Sequence, residues 1–189
     1  MLTIFLVVIV TCRIAYLSQH KKKIHFYEEF IKLLFIIYIL ILYGLLTNTE
    51  INHNGGMNLV PFTEIFRYDI GSKLFLVNVF GNILIFLPFG YFISYFIKAK
   101  KIWPIMFVSI ISSFTVEFVQ LQIGRSFDID DILLNLIGAI CGYLLYIGLT
   151  AIKRHLPSFL QKDFIYNLLC ILIIGIIVLI ILSRFGIGF

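Results

Sequence analysis

The chain has 189 residues, of which 61% are hydrophobic and 13% charged, with a mean hydropathy of +1.05. A soluble domain carries roughly 25% charged residues, so this composition excludes one and points to a polytopic membrane protein. The net charge of +5 is distributed among the connections between apolar runs and not massed in a patch, which argues against nucleic acid as a partner.

A helix rises 1.5 Å per residue and needs roughly 20 residues to cross hydrocarbon. Backbone groups in lipid must pair within their own segment, so helices are the default over open sheets. The expected fold is all-α, a polytopic membrane bundle of about six transmembrane helices with a short interfacial helix in the outer loop 48–73. The first apolar run is about Met1 to Leu17. It lacks the basic start and small-residue cleavage site of a signal peptide, and Lys21, Lys22 and Lys23 follow it as a stop-transfer cluster would. It is therefore expected to be a membrane helix. The second run is Phe30 to Thr47. Arg13 and Lys32 lie near the same end of these two runs, where long basic side chains can reach the headgroups.

The longest connection, 48–73, contains NLVPFTEIFRYDIG, with Pro61 at an expected helix start and Leu59, Val60, Phe62, Ile65 and Phe66 as apolar anchors. It is expected to lie in the outer headgroup region or to fold back over the bundle. Run three, Leu74 to Ile97, carries Asn78 and Asn82 at i, i+4 on one face. Both amides are expected to point into the bundle, and Pro88 with Gly90 to kink the helix. Run four, Ile105 to Ile123, carries Glu117 and Gln120, and the connection GRSFDIDD follows with Arg125, Asp128, Asp130 and Asp131. Run five, Ile132 to Ile152, continues a stripe of Asp131, Asn135, Gly138 and Gly142, whose glycines allow close approach of a neighbouring helix. Run six, Phe164 to Ser183, is nearly uniform in Ile and Leu. No linker rich in Pro, Gly or Ser divides the chain. An N-terminal hairpin with the start of the outer loop (1–57), a central region (58–152) and a C-terminal loop and helix (153–189) are the natural divisions.

Cytoplasmic loops hold an excess of Lys and Arg. Lys21 to Lys23, Lys98, Lys100, Lys101, Lys153, Arg154 and Lys162 mark the inner side, against Arg67, Lys73, Arg125 and Arg184 on the other. Both termini are then extracytoplasmic. Counting helical rises places Asn78, Asn82, Glu117, Gln120 and Asn135 within roughly 5 to 12 Å of the outer surface. The loop bearing Arg125, Asp128 and Asp131 hangs above them, so these eight residues form the candidate functional cluster in a pocket open to the outer leaflet. Glu117, an ionisable group inside a membrane helix, is a functional candidate by default. Pairing with Arg125 is the equally open structural role. Asp128 and Asp130 read as partners of Arg125 or as solvated loop carboxylates.

No metal or other cofactor is expected. The D-I-D-D run lacks the spacing and glycine of a calcium loop, and only His53 of the four histidines falls on the outer side. Cys12, Cys141 and Cys170 are far apart in apolar runs and suggest no disulfide framework. There is no Ser-His-Asp or Cys-His set and no phosphate-binding P-loop. A binding protein is favoured over an enzyme that would use Glu117 and the loop aspartates as acid and base, and over a small transporter.

Several motifs occur in order: NLVPF at Asn58 to Phe62, N-x-x-x-N-I-L-x-F-x-P-x-G from Asn78 to Gly90, E-x-x-Q from Glu117, and G-R-x-x-D-x-D-D-x-x-x-N-x-x-G from Gly124 to Gly138. Over Asn58 to about Tyr146 the chain resembles the VanZ-like family of bacterial membrane proteins. The resemblance implies a multipass protein of the bacterial cell membrane and suggests a link to the envelope or to resistance against teicoplanin, a lipoglycopeptide. The implied partners are membrane lipid, a lipid-linked cell-wall precursor or a lipoglycopeptide. The resemblance supplies no biochemical mechanism, and no oligomeric state follows from the sequence.

Overall fold

A computed structural model describes residues 2–19, 25–47, 56–63 and 65–166. The protein is mostly helical and divides into two compact units, residues 1–40 with 155–189 and residues 41–154. Run six of the sequence falls almost wholly outside the described residues.

In the first unit, α1 spans Leu2–Gln19, and α2, Phe26–Thr47, begins there and continues into the second. Arg13 of α1 closes a fork on Glu29 of α2, with Nε donating to Oε2 at 2.8 Å and Nη2 to Oε1 at 3.0 Å. Lys32 Nζ donates to the same Oε1 at 2.7 Å. Both basic residues thus have a carboxylate partner. Pairing lowers the cost of holding charge beside an apolar surface.

The second unit contains β1 (Met57–Asn58), α3 (Lys73–Phe75), a π-helical turn (Leu76–Phe80), α4 (Gly81–Ile97), α5 (Trp103–Gln122), β2 (Phe127–Asp128) and most of α6 (Ile129–His155). Ser72 starts α3, its Oγ accepting from Phe75 N at 3.1 Å. The helical path then runs unbroken from Lys73 to Ile97, through Pro88. Its irregular turn is at Leu76–Phe80, two turns ahead of the proline at which the sequence predicts a kink. Lys98, at φ 51°, ends α4, and Ala99 N returns to Ser94 O at 2.9 Å in a Schellman-type closure. Pro104 in the first turn of α5 has no helical N–H bond to lose.

Among the described residues three helices are long and apolar enough to cross a membrane: Lys73–Ile97, Trp103–Gln122 and Ile129–His155. These are runs three, four and five of the sequence. Their exterior differs from that of a soluble fold. Leu84, Phe107, Ile111, Phe114, Leu144 and Ile152 are exposed, whereas Ser94, Ser109, Ser113, Glu117, Gln120 and Asn135 are buried. Phe86, Ile105, Leu134 and Ala139 are buried beside them. An apolar exterior that also encloses polar groups is stable only in lipid, where the exposed side chains lose nothing and the polar ones need one another. The protein is a membrane protein.

Glycines bring α4 and α6 into main-chain contact. A methyl group on Gly138 would overlap the carbonyl of Ile83, one on Gly142 would strike Leu87 and Tyr91, and one on Gly90 would strike Ala139. The small-residue stripe read on α6 therefore meets a small residue on α4.

The connection before α3 differs from expectation. The described residues of 56–72 form no helix. β1 instead pairs in parallel with β2, Met57 opposite Phe127 and Asn58 opposite Asp128, and residues 60–63 and 65–71 follow mainly as turns and bends. Pro61 is followed by Phe62 at φ 68°, a left-handed residue that stops helix propagation. Proline followed by positive φ is the pattern of a type II turn, and Thr63 Oγ1 closes it on Val60 O at 2.9 Å.

Candidate functional site

The loop between α5 and α6 is held from below by buried side chains. Gly124, at φ 87°, turns the chain out of α5. Arg125 N returns to Gln120 O at 2.9 Å. Glu117, 1% exposed, accepts from Asp128 N through Oε2 at 3.0 Å. With its amide oriented to suit its neighbours, Gln120 donates Nε2 to Glu117 Oε1 at 3.0 Å and accepts from Arg125 Nη1 at 2.8 Å. Gln120 thus stands between the carboxylate and the guanidinium. Ser109, Ser113, Glu117 and Gln120 recur at helical spacing on α5 and are all buried, forming one polar stripe beneath the loop.

Asp128 begins α6 as its cap, Oδ1 accepting from Asp130 N at 2.8 Å and from Asn58 Nδ2 at 3.2 Å. Asp130 is 0% exposed. Its Oδ1 accepts from Phe62 N at 2.5 Å and its Oδ2 from Ile65 N at 3.2 Å, so one carboxylate fixes the turn after Pro61. A non-glycine residue at positive φ costs about 1–3 kcal/mol, which these charge-assisted bonds at Phe62 help to offset. The reading of Asp128 and Asp130 as solvated loop carboxylates is overturned. Both are buried because the 56–65 connection folds onto the start of α6 and supplies main-chain and Asn58 donors.

A cavity of about 310 Å³ opens beside this network, lined mainly by polar groups. Of the eight residues in the predicted cluster, Asn78, Asn82, Arg125, Asp128 and Asp131 line it. Asn82 Nδ2 donates to Asp131 Oδ1, tying α4 to the first turn of α6. The π-helical turn carries Asn78 to the same cavity. Glu117, Gln120 and Asn135 are not among the lining residues. The first two brace the loop, and Asn135 Nδ2 donates to Ser113 Oγ at 2.8 Å between α6 and α5.

Four polar lining residues fall outside the predicted cluster: Arg67, Tyr68, Ser126 and Asp130. Arg67 and Tyr68 lie almost 60 residues from Arg125 in sequence, and no local periodicity links the two loops. The parallel pairing of β1 with β2 brings them together. The neighbouring NLVPF motif was the one available signal. The lining therefore offers two guanidinium groups, two side-chain amides and the Asp131 carboxylate within one space, with Asp128 and Asp130 held by the protein's own donors, a set suited to hydrogen-bonding a polar, charged group. Among the described residues no cluster of three or more His, Cys, Asp or Glu is arranged to hold a metal ion.

Comparison with known proteins gives no match among curated proteins or solved structures. Comparison with protein families matches residues 30–154 to VanZ/LLP1. The match takes in most of α2 and every lining residue of the cavity. Since it extends over more than half of the sequence, the chain belongs to the VanZ/LLP1 family.

Proposed function

We propose that this protein binds the polar head of an envelope lipid, a lipid-linked cell-wall precursor or a lipoglycopeptide in its polar cavity, at the outer leaflet of the bacterial membrane, and that this binding contributes to teicoplanin resistance. The observation that carries the reading is a polar cavity of about 310 Å³ within helices whose exterior is apolar. Small-molecule sites fall in roughly the 300–1,000 Å³ range, so the space suits a headgroup. Arg67 and Arg125 would meet phosphate or carboxylate, and Asn78, Asn82 and Asp131 would meet hydroxyl or amine groups.

Binding is favoured over turnover because Glu117, Asp128 and Asp130 accept hydrogen bonds from the protein's own main chain and amides. Their placement suits them to shape the cavity. Purified protein in nanodiscs should bind teicoplanin or a lipid-linked precursor measurably by native mass spectrometry. Arg125→Gln and Asn78→Ala should each weaken that binding about tenfold, the loss of roughly one hydrogen bond to a charged group. Equal binding by wild type and Arg125→Gln would sink the assignment. Cells expressing wild type, but not Arg125→Gln, should show reduced teicoplanin susceptibility.

A further inference from the structure

We propose that the connection 59–70 is a two-sided wall, with one side embedded in the lipid interface and the other lining the polar cavity, latched in that pose by Asp130. The proposal does not depend on what the cavity binds.

Leu59, Val60, Phe62, Phe66 and Ile70 are all exposed, Phe66 at 78% and Ile70 at 87%. Five large apolar side chains within twelve residues exceed the scattered apolar exposure normal on a protein surface. From the same stretch, Ile65, Arg67 and Tyr68 line the cavity. The chain therefore turns five apolar groups outward, while half-buried Ile65 and Tyr68 and the exposed Arg67 border the cavity. An amphipathic helix would separate these faces by periodicity. Here turns do it, through the left-handed Phe62 and the paired rings of Phe62 and Phe66 at 6.3 Å.

The occupant of the apolar side is lipid, for reasons of continuity. Ile70 is three residues from the start of the membrane-length helix Lys73–Ile97, and the first turn of that helix exposes Leu74 and Leu76. The apolar surface of the connection thus passes along the chain into the apolar surface of a helix long enough to cross the membrane. Lys73 at the junction carries the long basic side chain suited to the headgroup level.

Asp130 gives the wall its fixed pose. Its two oxygens take the Phe62 and Ile65 amides, one within the turn and one just after it, and the carboxylate itself belongs to the first turn of α6. The wall is thereby tied to a membrane-spanning helix, and its depth is set by that helix.

Tryptophan quenching in phosphatidylcholine nanodiscs, where iodide reaches both faces of the bilayer, tests this. The single native tryptophan is removed as Trp103→Phe, and Phe66→Trp, Ile70→Trp, Tyr68→Trp and Lys100→Trp are made one at a time in that background. Residues 66 and 70 should be quenched several-fold more by a lipid nitroxide near the top of the acyl chain than by aqueous iodide. Lys100→Trp, in the exposed α4–α5 connection, should show the reverse. Tyr68→Trp should resist the lipid quencher at least twofold more than residue 66. Iodide quenching of 66 and 70 equal to that of 100 would overturn lipid contact, and equal lipid quenching of 66, 68 and 70 would overturn the two-sided wall. Asp130→Asn should raise iodide quenching at residue 66 at least twofold, and no change in a folded variant would overturn the latch. Should Asp130→Asn fail to fold, Thr63→Val, which removes only the turn-closing hydroxyl, serves as the second variant. A twofold rise in iodide quenching at residue 66 is expected from it, and an unchanged value would count against a turn-held pose.

Discussion

At Glu117 both carboxylate oxygens are engaged, Oε2 by the main-chain N–H of Asp128 and Oε1 by the amide of Gln120. Glu117→Ala would leave both donors unpaired in a buried place, at about 1–3 kcal/mol each. Glu117→Gln retains one acceptor oxygen but sets an amide donor against the other donor, so it should also destabilise. Thermal unfolding in detergent reads both losses, and a wild-type midpoint for Glu117→Ala would refute the bracing role. Asp130→Ala should destabilise at least as strongly, since hydrogen bonds to a charged group contribute about 1.5–3 kcal/mol each and two of them hold the turn at Phe62. The importance of Glu117 was legible in the sequence because an acid in an apolar run is conspicuous. Its partners were not, because a main-chain N–H has no letter in a sequence. Asp130 was underrated for the same reason: its partners are two backbone amides from residues 65 and 68 positions away.

Among the elements, the α4–α6 contact offers a paired prediction. Gly138→Ala places a methyl on the backbone of Ile83, so the helices must separate, and overpacking of this kind costs about 1–3 kcal/mol. Gly148 lies on the same helix with nothing near its missing Cβ. Gly148→Ala should instead stabilise by about 0.5–1 kcal/mol through backbone entropy. A Gly138→Ala midpoint that rises as that of Gly148→Ala does would refute main-chain contact at Gly138. The stripe Asp131, Asn135, Gly138, Gly142 showed this face of α6 from spacing alone, since helical periodicity is local. The partner face and the π-helical turn at Leu76–Phe80 were not visible. A π turn replaces one set of main-chain bonds with another and leaves the apolar pattern of LFLVNVF unaltered. The apolar spacing after Pro61 in the connection 48–73 fits a short interfacial helix, whereas the left-handed Phe62 and the Asp130 bonds set the described residues there as turns.

For the whole molecule the governing fact, among the described residues, is an apolar exterior, with Leu144 and Phe107 outward and Glu117, Ser113 and Asn135 buried beside Phe86 and Ile105. Leu144→Asp should reduce insertion into membranes, because a charge at the lipid-facing middle of a helix costs roughly 2.5–3.5 kcal/mol on insertion scales. The yield of the variant in washed membranes measures this, and a wild-type yield would contradict a lipid-facing Leu144. Class, apolar runs three to five and the stretch from Glu117 to Asn135 were determined by the sequence itself, since hydropathy and helical period act over neighbouring residues and need no partner. Tertiary structure alone decided which polar groups face the cavity. Arg67 and Tyr68 join Arg125 and Asp131 there, while Glu117 turns to Asp128 and Gln120. The physical reason is that a buried polar group takes whichever donor or acceptor the fold brings within about 3 Å, and loops far apart in sequence supply those partners only after the β1–β2 pairing has formed.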